Sequence, residues 1–468
     1  MDQEALICSS NSRSLPLWFV REGDLAAFKT SVPAAATWLN QLAFAPERHR
    51  IAAIPGPNGE VAGAVVGLGL LADWSQLAWW HVSGLVDRLP ARDFHIEGDL
   101  PPAARYQILI GWLHGGYQLT RYKSMSPRSQ GAKPRLVLPS GIEASFVLRQ
   151  AKASAWARDL INAPANELGP AELASIAADL AREHAAELRC LEGDDLLVNN
   201  FPLIHAVGRA SIRSPRLIDL RWGDPRHPTV TLVGKGACFD TGGLDIKSSA
   251  GMALMKKDMG GAAIVLALAS SLMTRRAPIR LRVLIPAVEN SIAGTAYRPG
   301  DVLCSRRGLT VEIGNTDAEG RLILADALTE ADVERPSLLL DFSTLTGAAR
   351  VALGPELPAV FGVDRDLVEH IRRCGDKESD PVWPMPLWDP YDEELASRIA
   401  DINNVSSSSF AGAIFGALFL RRFVSSTRFW AHFDLYAWNA RERPGRPVGA
   451  EAQCLRLADR LILDRFGT

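Results

Sequence analysis

Between residues 229 and 342 the chain alternates apolar, β-branched runs with helical stretches. TVTLVG (229–234), IRLRVLIPAV (279–288) and SLLLDF (337–342) read as strands. Between or beside them, GMALMKKDMGGAAIVLALASSLM and RLILADALTEADV read as helices. Uninterrupted apolar runs suit strands buried on both faces, and strand–helix alternation suits parallel pairing. The pattern therefore predicts an α/β fold with a mainly parallel sheet flanked by helices. Ligands in such folds sit outside the carboxyl ends of the strands. GKGACFDTGG directly follows TVTLVG, which places it at such an end.

Upstream, VLRQAKASAWARDLIN has a helical pattern that stops before Pro164. The preceding residues have their own signals: RIAAIPGPNGEVAGAVVGLG reads as strand, turn, strand, and Trp74, Trp79 and Trp80 read as core or interface. At about 100 to 200 residues per domain, 468 residues suggest two or three domains. The expected division is a smaller, variable α/β N-terminal domain over 1–145 and a catalytic domain over 146–468, beginning with a linker helix. RYKSMSPRSQGAKPR (121–135) carries five basic residues and no acidic one, and reads as a solvated loop or inter-domain segment.

Lys plus Arg total 51 against 53 Asp plus Glu, a net charge of -2 that gives no electrostatic case for a nucleic-acid or membrane partner. The six cysteines are scattered without CxxC or zinc-finger spacing, as expected of a reduced protein. MDQEALICSSNSRS lacks a basic segment followed by an apolar core, and no uncharged apolar run reaches the roughly 18 residues of a membrane span. A cytoplasmic location is the expectation.

Chemistry concentrates in two segments. NTDAEGRL (315–322) sets Asp317, Glu319 and Arg321 at alternate positions, which on an extended backbone would put all three on one face. LVGKGACFDTGGLDIKSSAGMALMKKDMGG (232–261) holds Lys235, Asp240, Lys247 and Asp258 among glycines. Asp240, Asp258, Asp317 and Glu319 all lie in apolar or Gly-rich settings, and burying four carboxylates together demands cations. Two divalent ions would cancel their charge, although the sequence does not show that the segments meet. Other chemistries lack their motifs: there is no HExxH, no GxSxG and no GKS/GKT phosphate loop. His432, within FWAHFDLY, reads as a hydrogen-bonded core residue.

KGACFDTGG, KKDMGGAA and NTDAEGRL resemble the signatures of the leucyl aminopeptidase (cytosol aminopeptidase) family. The similarity continues through RDLINAPANELGP, AYRPGDVL and STLTGA and spans roughly residues 145 to 450. It implies that Asp240 and Glu319 bridge two metal ions, with Lys235 and Asp258 completing one and Asp317 the other. It further implies that Lys247 hydrogen-bonds the substrate carbonyl, and that Arg321, helped by the backbone of Leu345, holds a bicarbonate ion. The ions would be Mn²⁺ or Zn²⁺, with Co²⁺ also compatible. The implied activity is removal of N-terminal residues from peptides with a free amino terminus, by a homohexamer built as a dimer of trimers.

An alternative on the same hexameric scaffold is a nucleic-acid-binding regulator, supported only by the basic 121–135 segment. Three departures fall near the substrate pocket: serines 406–409 replace a Gly-rich run, Phe415 replaces a common threonine, and FDLYAWN (433–439) replaces a longer small-residue segment. They set the side-chain preference apart from a simple leucine preference.

Overall fold

The computed structural model describes residues 3–9, 12–122 and 131–467. Most of the basic 121–135 segment lies outside the described residues. The chain forms two compact units, Met1–Ala155 with Ala440–Val448, and Trp156–Asn439 with Gly449–Thr468. The division falls inside the helix Ala144–Asn162 rather than at its start.

The first unit contains a six-stranded sheet in the order Ile7–Cys8, Arg135–Val137, Asp93–Ile96, Leu15–Val20, Val61–Gly67, Ile51–Pro55. Only the last pair is antiparallel, and it is the strand–turn–strand read from residues 50–69. Leu17, Phe94, Ile108 and Trp112 are fully buried in its core, where Trp79 joins them and Trp74 and Trp80 pack alongside.

The second unit is built on a nine-stranded sheet. Its heart is four parallel strands in the order Trp430–Asp434, Leu338–Ser343, Thr229–Gly234, Arg280–Asn290. Gly236–Asp240 pairs in parallel with the far half of Arg280–Asn290. Antiparallel strands extend both margins: Ala359–Gly362 pairs with Trp430–Asp434, and Arg216–Trp222 with Arg280–Asn290. The sheet is thus mixed but mostly parallel, as the alternating pattern predicts. Val233, Leu284 and Leu339 meet Leu322, Ile323 and Leu328 of the helix Glu319–Val333 in one fully buried cluster.

One expected helix is broken. The stretch read as helical over 251–273 is a short helix Ser249–Met252, a 3₁₀ turn Met255–Met259 and a second helix Gly260–Thr274. The apolar run AAIVLALASSLM carries helical periodicity only after Gly260, and Gly260-Gly261 is a weak place to propagate a helix. His432 lies on the buried strand Trp430–Asp434, with its Nδ1 2.5 Å from Asp341 Oδ1. It is the hydrogen-bonded core residue that the sequence suggested. Among the described residues, no helix is long and apolar enough to cross a membrane.

Candidate metal centre

Strand ends and helix starts bring the two chemical segments together. Lys235 follows the strand Thr229–Gly234, Asp240 ends Gly236–Asp240, Asp258 lies in the 3₁₀ turn, and Glu319 opens the helix Glu319–Val333. Lys235, Asp240, Lys247, Asp258, Asp317, Glu319, Arg321 and Leu345 all line one cleft of about 630 Å³. Oxygens of Asp240, Asp317 and Glu319 lie within 4.8 Å of one another.

Asp317, Glu319 and Arg321 do not share the extended face expected for 315–322. Asp317 lies in a turn and the helix begins at Glu319, so Glu319 and Arg321 leave the backbone in different directions. Glu319 Oε1 meets Lys235 Nζ at 2.7 Å, whereas Arg321 Nη1 donates to the Asn404 carbonyl at 2.6 Å. Helical hydrogen bonding by RLILADAL overrides the extended reading. Between them, Gly320 admits the lysine: a Cβ there would stand 2.7 Å from Lys235 Nζ.

Two lysines face four acids. Lys235 Nζ lies 2.7 Å from both Asp258 Oδ2 and Glu319 Oε1. Lys247 Nζ lies 2.8 Å from Asp240 Oδ2 and also contacts Asp317 Oδ1. Two of the remaining oxygens are fixed by the protein. Asp240 Oδ1 accepts from the Gly242 amide (2.9 Å) and from Asn290 Nδ2 (2.8 Å), while Asp258 Oδ1 accepts from Thr344 Oγ1 (2.6 Å). Asp258 Oδ2, Asp317 Oδ1 and Glu319 Oε1 are buried and, among the polar contacts of the described residues, are met by the lysine ammoniums alone.

Burial, then the neighbouring Asp240, raises the Glu319 carboxyl well above its ordinary range and Asp317 to about 6. Burial would also raise Asp258, but Lys235 and Lys257 outweigh it and hold it low. Burial likewise disfavours charged Lys235, yet Asp258, Glu319 and Asp240 keep its pKa above the ordinary lysine value. Burial pushes Arg321 down to about 10.

Several structural partners carried no role in the sequence reading. Asn290 ties Asp240 to the second segment, because its Nδ2 also reaches the Thr316 carbonyl at 3.1 Å. Thr316 is held from the other side by Asp245 Oδ2, which accepts from its amide at 2.7 Å. The signal for Asn290 was a polar residue ending a long apolar strand. The Leu345 amide donates to Asp434 Oδ1 at 3.0 Å, so it is committed inside the protein.

Residues 155–457 match the sequence model of the cytosol aminopeptidase family catalytic domain, and residues 15–139 that of the M17 aminopeptidase N-terminal domain. A probable cytosol aminopeptidase of Geobacter sp. (strain M21) is 42% identical over 369 residues, covering 76% of this chain and 74% of that protein. One from Xanthobacter autotrophicus is 38% identical over 395 residues, covering 80% and 78%. Among solved structures, the cytosol aminopeptidase of Coxiella burnetii superposes with a TM-score of 0.93 at 42% identity, covering 99% of this chain and all (100%) of that one. The bottromycin maturation enzyme BotP in complex with Mn superposes with a TM-score of 0.86 at 30% identity, covering 97% and 100%.

Proposed function

The chain belongs to the cytosol aminopeptidase family, and we propose that its buried lysine–carboxylate cluster holds two divalent cations for hydrolysis of N-terminal peptide bonds. Membership makes the protein a hydrolase of the metal-dependent exopeptidase class, acting on peptides. The observation that carries the two-cation reading is the convergence of Asp240, Asp317 and Glu319 oxygens within 4.8 Å, beside Asp258 and Lys235. Four carboxylates against two lysines leave an excess of negative charge in a buried site, which bound cations would offset. Carboxylates plus an amine suit Mn²⁺ or Zn²⁺, and a Mn complex of one structural neighbour supports the former.

Asp240 and Glu319 would bridge the ions, Lys235 and Asp258 would complete one, and Asp317 the other. Lys235 must then be neutral, although a free lysine has a pKa of about 10.4. A bound cation competes with its proton for the nitrogen lone pair. When bound, a metal pair supplies Lewis acidity and lowers the pKa of the attacking water, chemistry for which aminopeptidases are already a known example.

The protein's own groups do the rest. Asn290 and the Gly242 amide fix one Asp240 oxygen, and Thr344 fixes one Asp258 oxygen, so that the other oxygen of each carboxylate would be the one to hold a cation. Lys247, at the cleft wall, donates to the substrate carbonyl and to the negative charge that develops on it. Arg321, whose Nε has no partner, would hold a bicarbonate beside the cluster, with the Leu345 backbone in the same cleft wall. The assembly we propose is the family's hexamer, a dimer of trimers, in the cytoplasm. The relatives named above do not support the nucleic-acid alternative.

Free-amine dependence tests the exopeptidase reading. A free α-amine would be held at the cluster and would set the first peptide bond beside it; acetylation removes the amine's lone pair and adds bulk. A peptide amide should be shortened stepwise from its amino terminus while its N-acetylated twin stays intact, followed by mass spectrometry over long incubation. Comparable cleavage of the blocked peptide, or internal cuts, would overturn the reading.

A further inference from the structure

Beside the acidic cluster, the same cleft carries two cations that form no salt bridge among the described residues. Lys257 Nζ lies 4.8 Å from the centroid of the Tyr436 ring and Arg350 Cζ lies 4.7 Å from it, and all three residues line the cleft. Lys257 is only 4% exposed. Among the described residues neither side chain forms a salt bridge or a hydrogen bond; the Tyr436 ring is the direct contact of each, with Asp258 and Asp434 acting on Lys257 at longer range.

The nearest acids are engaged elsewhere. Asp258 turns to Lys235 and Thr344. Asp434 accepts from the Leu345 amide at 3.0 Å, the Thr346 amide at 3.1 Å and Thr346 Oγ1 at 2.6 Å. A ring face offsets the burial of a cation only in part, and two cations beside one ring repel each other. Both costs fall when an anion in the cleft offsets their charge. Lys257 adjoins Asp258 in sequence, so the pair begins one residue from the proposed metal ligands, within reach of a short substrate.

We propose that Lys257 and Arg350, set by Tyr436, form a subsite for a carboxylate of the peptide substrate. An N-terminal Asp or Glu side chain would supply that carboxylate, and the C-terminal carboxylate of a dipeptide presents the same chemistry. The proposal rests on the aminopeptidase reading and adds a charge preference to it. Charge-assisted hydrogen bonds from lysine and from a planar guanidinium discriminate a carboxylate from its isosteric amide.

The test uses full-length, metal-loaded protein and the arylamides of Glu, Gln, Asp and Asn, none of which has a C-terminal carboxylate. The expected kcat/KM ratio for Glu over Gln, or Asp over Asn, is about tenfold or more. Lys257→Met and Arg350→Gln should each reduce that ratio severalfold, while Lys257→Arg should retain most of it. A second arm compares Leu-Gly with Leu-Gly amide. A charge preference confined to that pair and lost in Lys257→Met supports the subsite and assigns its anion to the C-terminus.

Calorimetric binding of glutamate α-amide and glutamine α-amide reads the subsite without turnover. Charge-selective binding without hydrolysis of any substrate would refute the aminopeptidase reading and leave the subsite standing. Absence of charge preference in both arms and in binding would overturn the subsite, as would a preference that survives Arg350→Gln and Lys257→Met. If Lys257→Met fails to fold by thermal melting, the Arg350→Gln and Lys257→Arg pair decides.

Discussion

Lys235 and Lys247 are both lysines among carboxylates, yet the protein places them differently. Lys235 is 3% exposed, wedged between Asp258 and Glu319, with Gly320 giving it room. Lys247 is more open, between Asp240 and Asp317. The first position suits a metal ligand and the second a donor to substrate. Lys247→Ala should keep its metal content while kcat falls about a hundredfold or more, as when an oxyanion donor is removed. Lys235→Ala should lose bound metal as well as rate. Elemental analysis beside kinetics checks both, and metal loss confined to the Lys247 variant would exchange the roles. The chemistry of these residues was legible in their types and Gly-rich settings. Their meeting was not, because it depends on Asn290 and Thr316, which hold two segments far apart in sequence.

The central strands were legible as elements because buried parallel strands are written as continuous apolar runs. The observed Thr229–Gly234 coincides with TVTLVG, and Leu338–Ser343 lies one residue along from SLLLDF. The turn at Met255–Met259 was not legible, since it exists to bury Asp258 against Lys235 and Thr344, a tertiary demand that apolar periodicity does not record. The helix that follows lies against the sheet at Gly261, where an added Cβ would be 1.9 Å from the Phe342 carbonyl oxygen and 2.8 Å from the Lys235 amide nitrogen. The Lys235 amide donates to that carbonyl at 3.0 Å, so the contact fixes the metal-site lysine as well as the helix. Gly261→Ala should therefore destabilise by at least about 2 kcal/mol, despite alanine's better helix propensity. Gly294→Ala, with open space around the site, should cost far less. Denaturant midpoints compare the two, and equal midpoints would show that the close approach is not rigid.

Across the whole chain, family similarity extends further than the motifs alone suggested. The resemblance read from the motifs spans roughly residues 145 to 450, whereas residues 15–139 match the M17 aminopeptidase N-terminal domain. The catalytic two-thirds was legible because its chemistry is concentrated in long polar signatures. The first unit was less so: its short strands are paired over long sequence separations, and no chemical motif marks them. The central claim is that the second unit binds two cations and that hydrolysis depends on both. Metal-free protein should be titrated with Mn²⁺, and separately with Zn²⁺, while bound ions per chain and hydrolysis of an aminoacyl arylamide are recorded together. The expected result is no hydrolysis at zero metal and full activity for at least one metal only as the second equivalent binds. Full activity in verified metal-free protein, or saturation of rate at one ion per chain, would contradict it.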